Sequence, residues 1–153
     1  MKLENLILSA IVLFFGTPLQ LIATAREFTE GEQAVEAQLQ AVIKTQTEEG
    51  YKLAFPRTLG RLAQGVQAPK TVLLNPSREY SFVAVCDEIC NDVDIIVKDM
   101  NGREVASDVA NYAIAVVPFN PPAEGRYEIS VKMKRCSART CNFGLGVFIK
   151  SNR

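Results

Sequence analysis

The sequence predicts an all-β fold, a jelly-roll-like antiparallel β-sandwich preceded by one amphipathic α-helix. Three observations carry this. From about Arg57 onward apolar residues recur with a period of two. Turn-forming residues punctuate these runs at short intervals. Four cysteines, Cys86, Cys90, Cys136 and Cys141, sit in two tight pairs at the ends of such runs. Six or seven short strands at this spacing describe a sandwich or a related barrel.

The chain begins with Leu6–Phe15, a short apolar core, then Gly16-Thr17-Pro18 and Ala23-Thr24-Ala25. This is the layout of a signal peptide over residues 1–25, with cleavage expected before Arg26. Lys2 is partly offset by Glu4, so the charged segment before the core is weak. A retained anchor is the alternative, because Asn5–Ala25 is close to the ~20 residues a membrane helix needs. Residues 26–56 form the next segment. There Thr29 and Glu32 make a capping-box pattern, and Gly50 stops a helix. Val35, Leu39, Val42 and Ile43 share one narrow face. A helix of this kind needs support. Its own domain is the expected support, with a partner or a second copy as the other reading.

Residues 57–153 are expected to be the disulfide-stapled sandwich. Thr71–Leu74 and Tyr80–Cys86 read as the first strands. Val93, Ile95 and Val97 alternate with polar residues, and Asn101-Gly102 then turns the chain into Arg103–Ala106, a hairpin signal. Ala113–Phe119 follows. Tyr127, Ile129, Val131 and Met133 alternate with Glu128, Ser130, Lys132 and Lys134, the clearest half-buried strand in the chain. Phe143–Ile149 is the last. Asn75-Pro76-Ser77, Asn120-Pro121-Pro122 and Glu124-Gly125 supply turns between them.

Composition excludes several functions. Seventeen basic residues balance seventeen acidic ones, which is not the balance of a nucleic-acid binder. The densest basic group is Lys132, Lys134, Arg135 and Arg139, of which Lys132 and Lys134 fall on the polar phase of a strand. The chain has no histidine. The commonest general base and zinc ligand, and any Ser-His or Cys-His nucleophile, are therefore missing. A carboxylate pair drawn from Asp87, Glu88, Asp92 and Asp94 is the remaining catalytic route. Nothing in their placement suggests a cleft, so no enzyme is expected.

The four cysteines admit three pairings. In an oxidising compartment disulfides are the default, and neither spacing is the C-x-x-C of a redox dithiol. Counting alternate strand directions brings all four cysteines to one end of the sandwich. Short spacing favours local pairs, Cys86 with Cys90 and Cys136 with Cys141, each closing a hairpin loop; crossed pairs would close longer loops.

Leu59-Gly60-Arg61-Leu62-x-x-Gly65, Tyr80-Ser81-Phe82, Asp92-Val93-Asp94-Ile95, Asp99-x-x-Gly102-Arg103-Glu104-Val105-Ala106-Ser107-Asp108 and Gly125-Arg126-Tyr127-Glu128-Ile129-Ser130-Val131 follow one another in an order that resembles the bacterial pre-peptidase C-terminal domain family. The resemblance covers roughly Leu59 to Ile149. It implies a small secreted jelly-roll-like sandwich, non-catalytic, used as an accessory or binding module, with calcium held in some relatives by acidic loop residues. This sequence departs by carrying no peptidase domain and by its two cysteine pairs.

Asp87, Asp92 and Asp94 are the residues such a calcium site would use, as hard oxygen ligands. Asp99-x-Asn101-Gly102 keeps only a fragment of a calcium-loop pattern, and acidic residues at strand starts also serve as turn caps or solvated side chains. No other cofactor is expected. The functional expectation is an exported module, periplasmic, luminal or extracellular. It would bind a protein or glycan through its disulfide-pinned loops, with Asp87, Glu88, Arg135, Ser137, Arg139 and Thr140 as contacts. The alternative is an assembly subunit docking on an envelope or membrane complex through its helix.

Overall fold

The computed structural model describes residues 26–152. The expected signal peptide, residues 1–25, lies outside the described residues. One helix and nine strands follow: α1 (Glu30–Glu48), β1 (Tyr51–Leu53), β2 (Thr58–Leu62), β3 (Gln67–Leu74), β4 (Tyr80–Cys86), β5 (Cys90–Lys98), β6 (Glu104–Asp108), β7 (Ile114–Phe119), β8 (Gly125–Cys136) and β9 (Cys141–Lys150).

Doubling the chain back at the β5–β6 turn generates the whole topology. β5 pairs with β6, β4 with β7, β3 with β8, and β1 and β2 with β9, all antiparallel. Successive pairs fall in alternate sheets, so one sheet reads β1-β9-β4-β7, with β2 also on β9, and the other reads β3-β8-β5-β6. This is the jelly-roll order. The expected all-β sandwich with one preceding helix is the observed fold.

β1 and β2 are a single edge strand broken at Pro56, and together they line the full length of β9. The sequence reading placed no strand here and assigned residues 26–56 to the helical segment. Three residues of that segment, Tyr51–Leu53, instead belong to the sheet. The Asn101-Gly102 hairpin forms, but as a longer turn than an Asn-Gly pair alone would make. Gly102 N–H donates to Asp99 O, and within this turn only Gly102 has positive φ (76°). Asp99 Oδ1 accepts from the N–H groups of Asn101 and Arg103.

The period-two strands bury their inner phase between the sheets. Val93, Ile95, Val97, Ile129, Val131 and Met133 from one sheet meet Phe82, Leu145 and Val147 from the other. β4 and β9 are buried on both faces. Their outer phase, Val83, Val85 and Phe148, lies under Val35 and Leu39 of α1. The helix thus packs on its own domain, as expected, with the capping box of Thr29 and Glu32 in place. Room for it comes from β9. A β-carbon at Gly144 would stand 2.5 Å from Leu39 Cδ1 and 2.8 Å from Val35 Cγ1.

Sheet edges are blunted. β7 carries Pro118, and its Val116 N–H donates to the Asp108 carboxylate rather than to another strand. β3 carries Pro69, β6 is five residues long, and Pro56 interrupts the β1/β2 edge. Exposed donors and acceptors on such edges recruit foreign strands, and these are the usual countermeasures.

Candidate functional site

Cys86 bonds to Cys90 and Cys136 to Cys141, the local pairing. The expectation that each pair closes a hairpin is corrected. β4 and β9 lie in one sheet, β5 and β8 in the other, so each disulfide spans a loop that crosses between the sheets. Cys90 and Cys136 face each other as register partners on β5 and β8. The two staples therefore stand side by side and close one end of the sandwich. Closed disulfides belong to an oxidising compartment. Among the described residues no helix is long and apolar enough to cross a membrane.

The loops at this end are tied to one another as well as to the staples. Ser137 N–H donates to Ile89 O (2.8 Å), and Asn91 Nδ2 donates to Ser137 Oγ (2.7 Å). Gln64 Oε1 accepts from Cys136 N–H, joining the β2–β3 loop. Gln38 of α1 donates through Nε2 to Cys86 O (2.9 Å), so the helix is joined too.

Asp87 is 4% exposed. Its Oδ2 accepts from both the backbone N–H (2.8 Å) and the Nδ2 (2.7 Å) of Asn142. Asn142 Oδ1 in turn accepts from Arg61 Nε (3.3 Å). Asp87 Oδ1 is buried and has no hydrogen-bond partner among the described residues. Beside it lies an open cleft of about 410 Å³, walled by Glu30, Gly31 and Ala34 of α1 and by Asp87, Glu88 and Ile89 of the β4–β5 loop, with Asn142 adjoining.

All six expected contact residues lie at the stapled end, yet they do not form one surface. Asp87 faces α1 on the outside of the β4–β9 sheet. Arg135 belongs to the opposite sheet, where its Nε stands 3.7 Å from Asp92 Oδ2. Glu88, Ser137 and Arg139 are exposed, and Thr140 is half-buried.

The calcium trio does not assemble. Asp92 and Asp94 project from the outer face of β5, across the sandwich from Asp87. Among the described residues no group of three or more acidic side chains is arranged to hold a metal ion. Asp92 and Asp94 are also buried, not solvated at a rim. β5 is a central strand flanked by β6 and β8, with Lys132 opposite Asp94 and Arg135 opposite Asp92. Burial, and then the neighbouring Asp92 charge, push the Asp94 carboxyl above the ordinary range, while Lys134 and Lys132 draw it back.

Asn142, Gly31 and Ile89 are site residues that sequence reasoning missed. A polar residue at the head of the apolar run Phe143–Ile149 was the available signal for Asn142. Large apolar side chains also gather here: Ile89 is 44% exposed, Val109 60% and Tyr112 67%. Val109 and Tyr112 lie in the β6–β7 loop of the same end. No family model matches the chain, and no curated protein matches its sequence.

Proposed function

We propose that this chain is an exported, non-catalytic β-sandwich module that binds a protein or glycan partner through its stapled end, in a periplasmic, luminal or extracellular setting. One observation carries the reading: two inter-sheet disulfides and a mesh of loop-to-loop hydrogen bonds hold that end rigid while its tips expose Ile89, Val109 and Tyr112. Rigid loops lose little entropy on binding, and exposed apolar tips on a fixed frame are suited to recognition. The absence of histidine and the burial of Asp92 and Asp94 on a sheet face support a non-catalytic role.

Docking through α1 is the weaker reading, because Val35 and Leu39 are already spent on β4 and β9. The resemblance to pre-peptidase C-terminal domains belongs to this proposal, as ordered short motifs on a sandwich of the expected kind.

A photo-crosslinking residue placed at Ser137, and separately at Asn101 on the opposite end, tests the reading in the native compartment. Adducts from position 137 and none from 101 are expected. Adducts from 101 alone, or equal yields from both, would overturn it.

A further inference from the structure

We propose that two copies of this chain pair face to face through the outer surface of β7, about a twofold axis that runs along the strand. The pairing goes beyond the reading of the stapled end as a binding surface and does not depend on it.

The pattern of β7 comes first. β9, β4 and β7 lie side by side in one sheet. The inward phase of β7, Ala115, Val117 and Phe119, belongs to the core. Its outward phase is Ile114, Val116 and Pro118, of which Ile114 is 45% and Val116 42% exposed, and Pro118 is exposed too. Tyr112, 67% exposed, adjoins them at the stapled end. Val116 stands opposite Val83 of β4, and Ile114 opposite Val85, so these residues share the outer face that carries α1. The helix covers Val83 and Val85, and no residue of β7 belongs to that cluster. Strands apolar on both faces are normally covered on both. β7 has that composition with one face in solvent.

Charge is the second, independent observation. No charged residue occurs between Asp108 and Glu124, a run of fifteen in a chain of which 22% is charged. Edge strands that stay alone usually carry charge. Depletion of charge around an exposed aromatic is instead the composition of an interface core. Such a face offers nothing for a charged partner to select, but it complements itself, and contacts between identical copies are the more apolar class.

The contact is made by the face and not by the edge. Val116 N–H already donates to Asp108 Oδ2 (2.8 Å) and Pro118 has no N–H, so an added strand finds a broken ladder. Tyr112, Ile114, Val116 and Pro118 together expose about 350 Å², the size of a patch that is often functional on a single chain. Buried on both copies it gives about 700 Å², and the surrounding rim brings the contact to the ~1,000 Å² of a specific interface.

The helix fixes the symmetry. Paired sheet faces stand about 10 Å apart, so α1 of each copy must pass beside the other copy. A twofold axis along β7 sends the two helices to opposite sides of the paired stripes. An axis across the strands would drive α1 of each copy into β4 and β9 of the other. With the axis along the strand, Val116 faces Val116 of the second copy and both stapled ends point the same way, which makes the pair bivalent.

Sedimentation velocity of the exported, disulfide-intact chain, over roughly 1 to 100 µM, is the test. A monomer–dimer equilibrium within that range is expected. Position 116 is exposed, so V116E and V116K keep the fold, which near-UV circular dichroism checks. Each variant alone should self-associate about a hundredfold more weakly, because like charges meet on the axis, and an equimolar mixture of the two should regain the dimer. A wild-type chain that stays monomeric throughout, or that floats with phosphatidylcholine vesicles in place of pairing, would overturn the proposal. So would folded single variants that dimerise like the parent, or a mixture that stays monomeric. Crosslinking keeps the two readings apart: adducts to another protein from Ser137 on a monomeric wild-type chain sink the pairing and leave the stapled-end surface standing.

Discussion

Gly144 and Leu39 are predicted to be energetically coupled, because the glycine is the seat on which the helix rests. Leu39 is fully buried against Val83, Val85 and Phe148. Leu39→Ala leaves a void there and costs about 3 kcal/mol. Gly144→Ala drives a methyl group to 2.5 Å from Leu39 Cδ1 and 2.9 Å from Cγ, well inside contact distance, and costs about 2 kcal/mol through overpacking. Were the sites independent, the double variant would lose about 5 kcal/mol. The methyl group introduced by Gly144→Ala instead falls into the space vacated by Leu39. Val35 Cγ1, 2.8 Å from the same β-carbon, still has to give way, so the double variant is expected to lose about 4 kcal/mol, a favourable coupling of about 1 kcal/mol. Urea unfolding of the disulfide-intact chain, read as midpoints at a common m-value, measures all three. Additivity within about 0.5 kcal/mol would refute the seating of α1 on β9, and so would an L39A variant as stable as the parent.

Removing the Cys136–Cys141 staple as C136S/C141S opens a loop of sequence separation 5 and should cost about 2 kcal/mol in denaturant titrations; no change would mean that the crossing loop is already rigid without it. T29A removes the α1 cap, which accepts from Glu32 N–H, and should cost about 1 kcal/mol by thermal melting. Asp94 titrates above its ordinary value of 3.8, through burial and then Asp92. Its contribution to stability is therefore full below that value and lost as pH rises through the raised pKa. D94N should accordingly be more stabilising relative to the parent at pH 7 than at pH 4, and an equal difference at both would refute the buried-carboxylate reading. Asp99 behaves oppositely. The backbone N–H of Arg103, and then that of Asn101, hold its carboxyl below 3.8, so its contribution is present above that value and fades as pH falls. D99N should flatten the acid limb of the stability profile, and an unchanged limb would count against the turn's role.

What the sequence made legible depended on how many faces an element buries. β8 buries one face, and Tyr127 to Met133 declared it by alternation. β4 and β9 are apolar throughout because α1 covers their second face, so their runs gave strands but not the identity of the cover. Gly144 in β9 is where the helix rests, whereas Gly146 makes room for the Phe148 ring, so the pair of glycines did not by itself announce a helix. β1 and β2 escaped because Pro56 and Gly60 break a pattern already short. The local pairing of the cysteines was readable from spacing. Their inter-sheet character was not, since sheet membership is decided by distant partners such as β7 and β9. Asp92 and Asp94 were placed on the correct face, but strands on either side bury them. The Asp87 cleft needs Gly31 and Asn142 brought together from far ends of the described chain, and no local pattern encodes that.

The jelly-roll is bound along one side only, like the spine of a book. Both staples hold the cysteine end, whereas the opposite end is held by noncovalent packing and by turns such as Asp99–Arg103. Sub-global opening therefore has a direction. The sheets part first at the leaves, around Leu73, Met100 and Pro122, and amide exchange and proteolytic nicking should run from there toward the spine. The partner proposed for the stapled end would grip the part of the molecule that opens last.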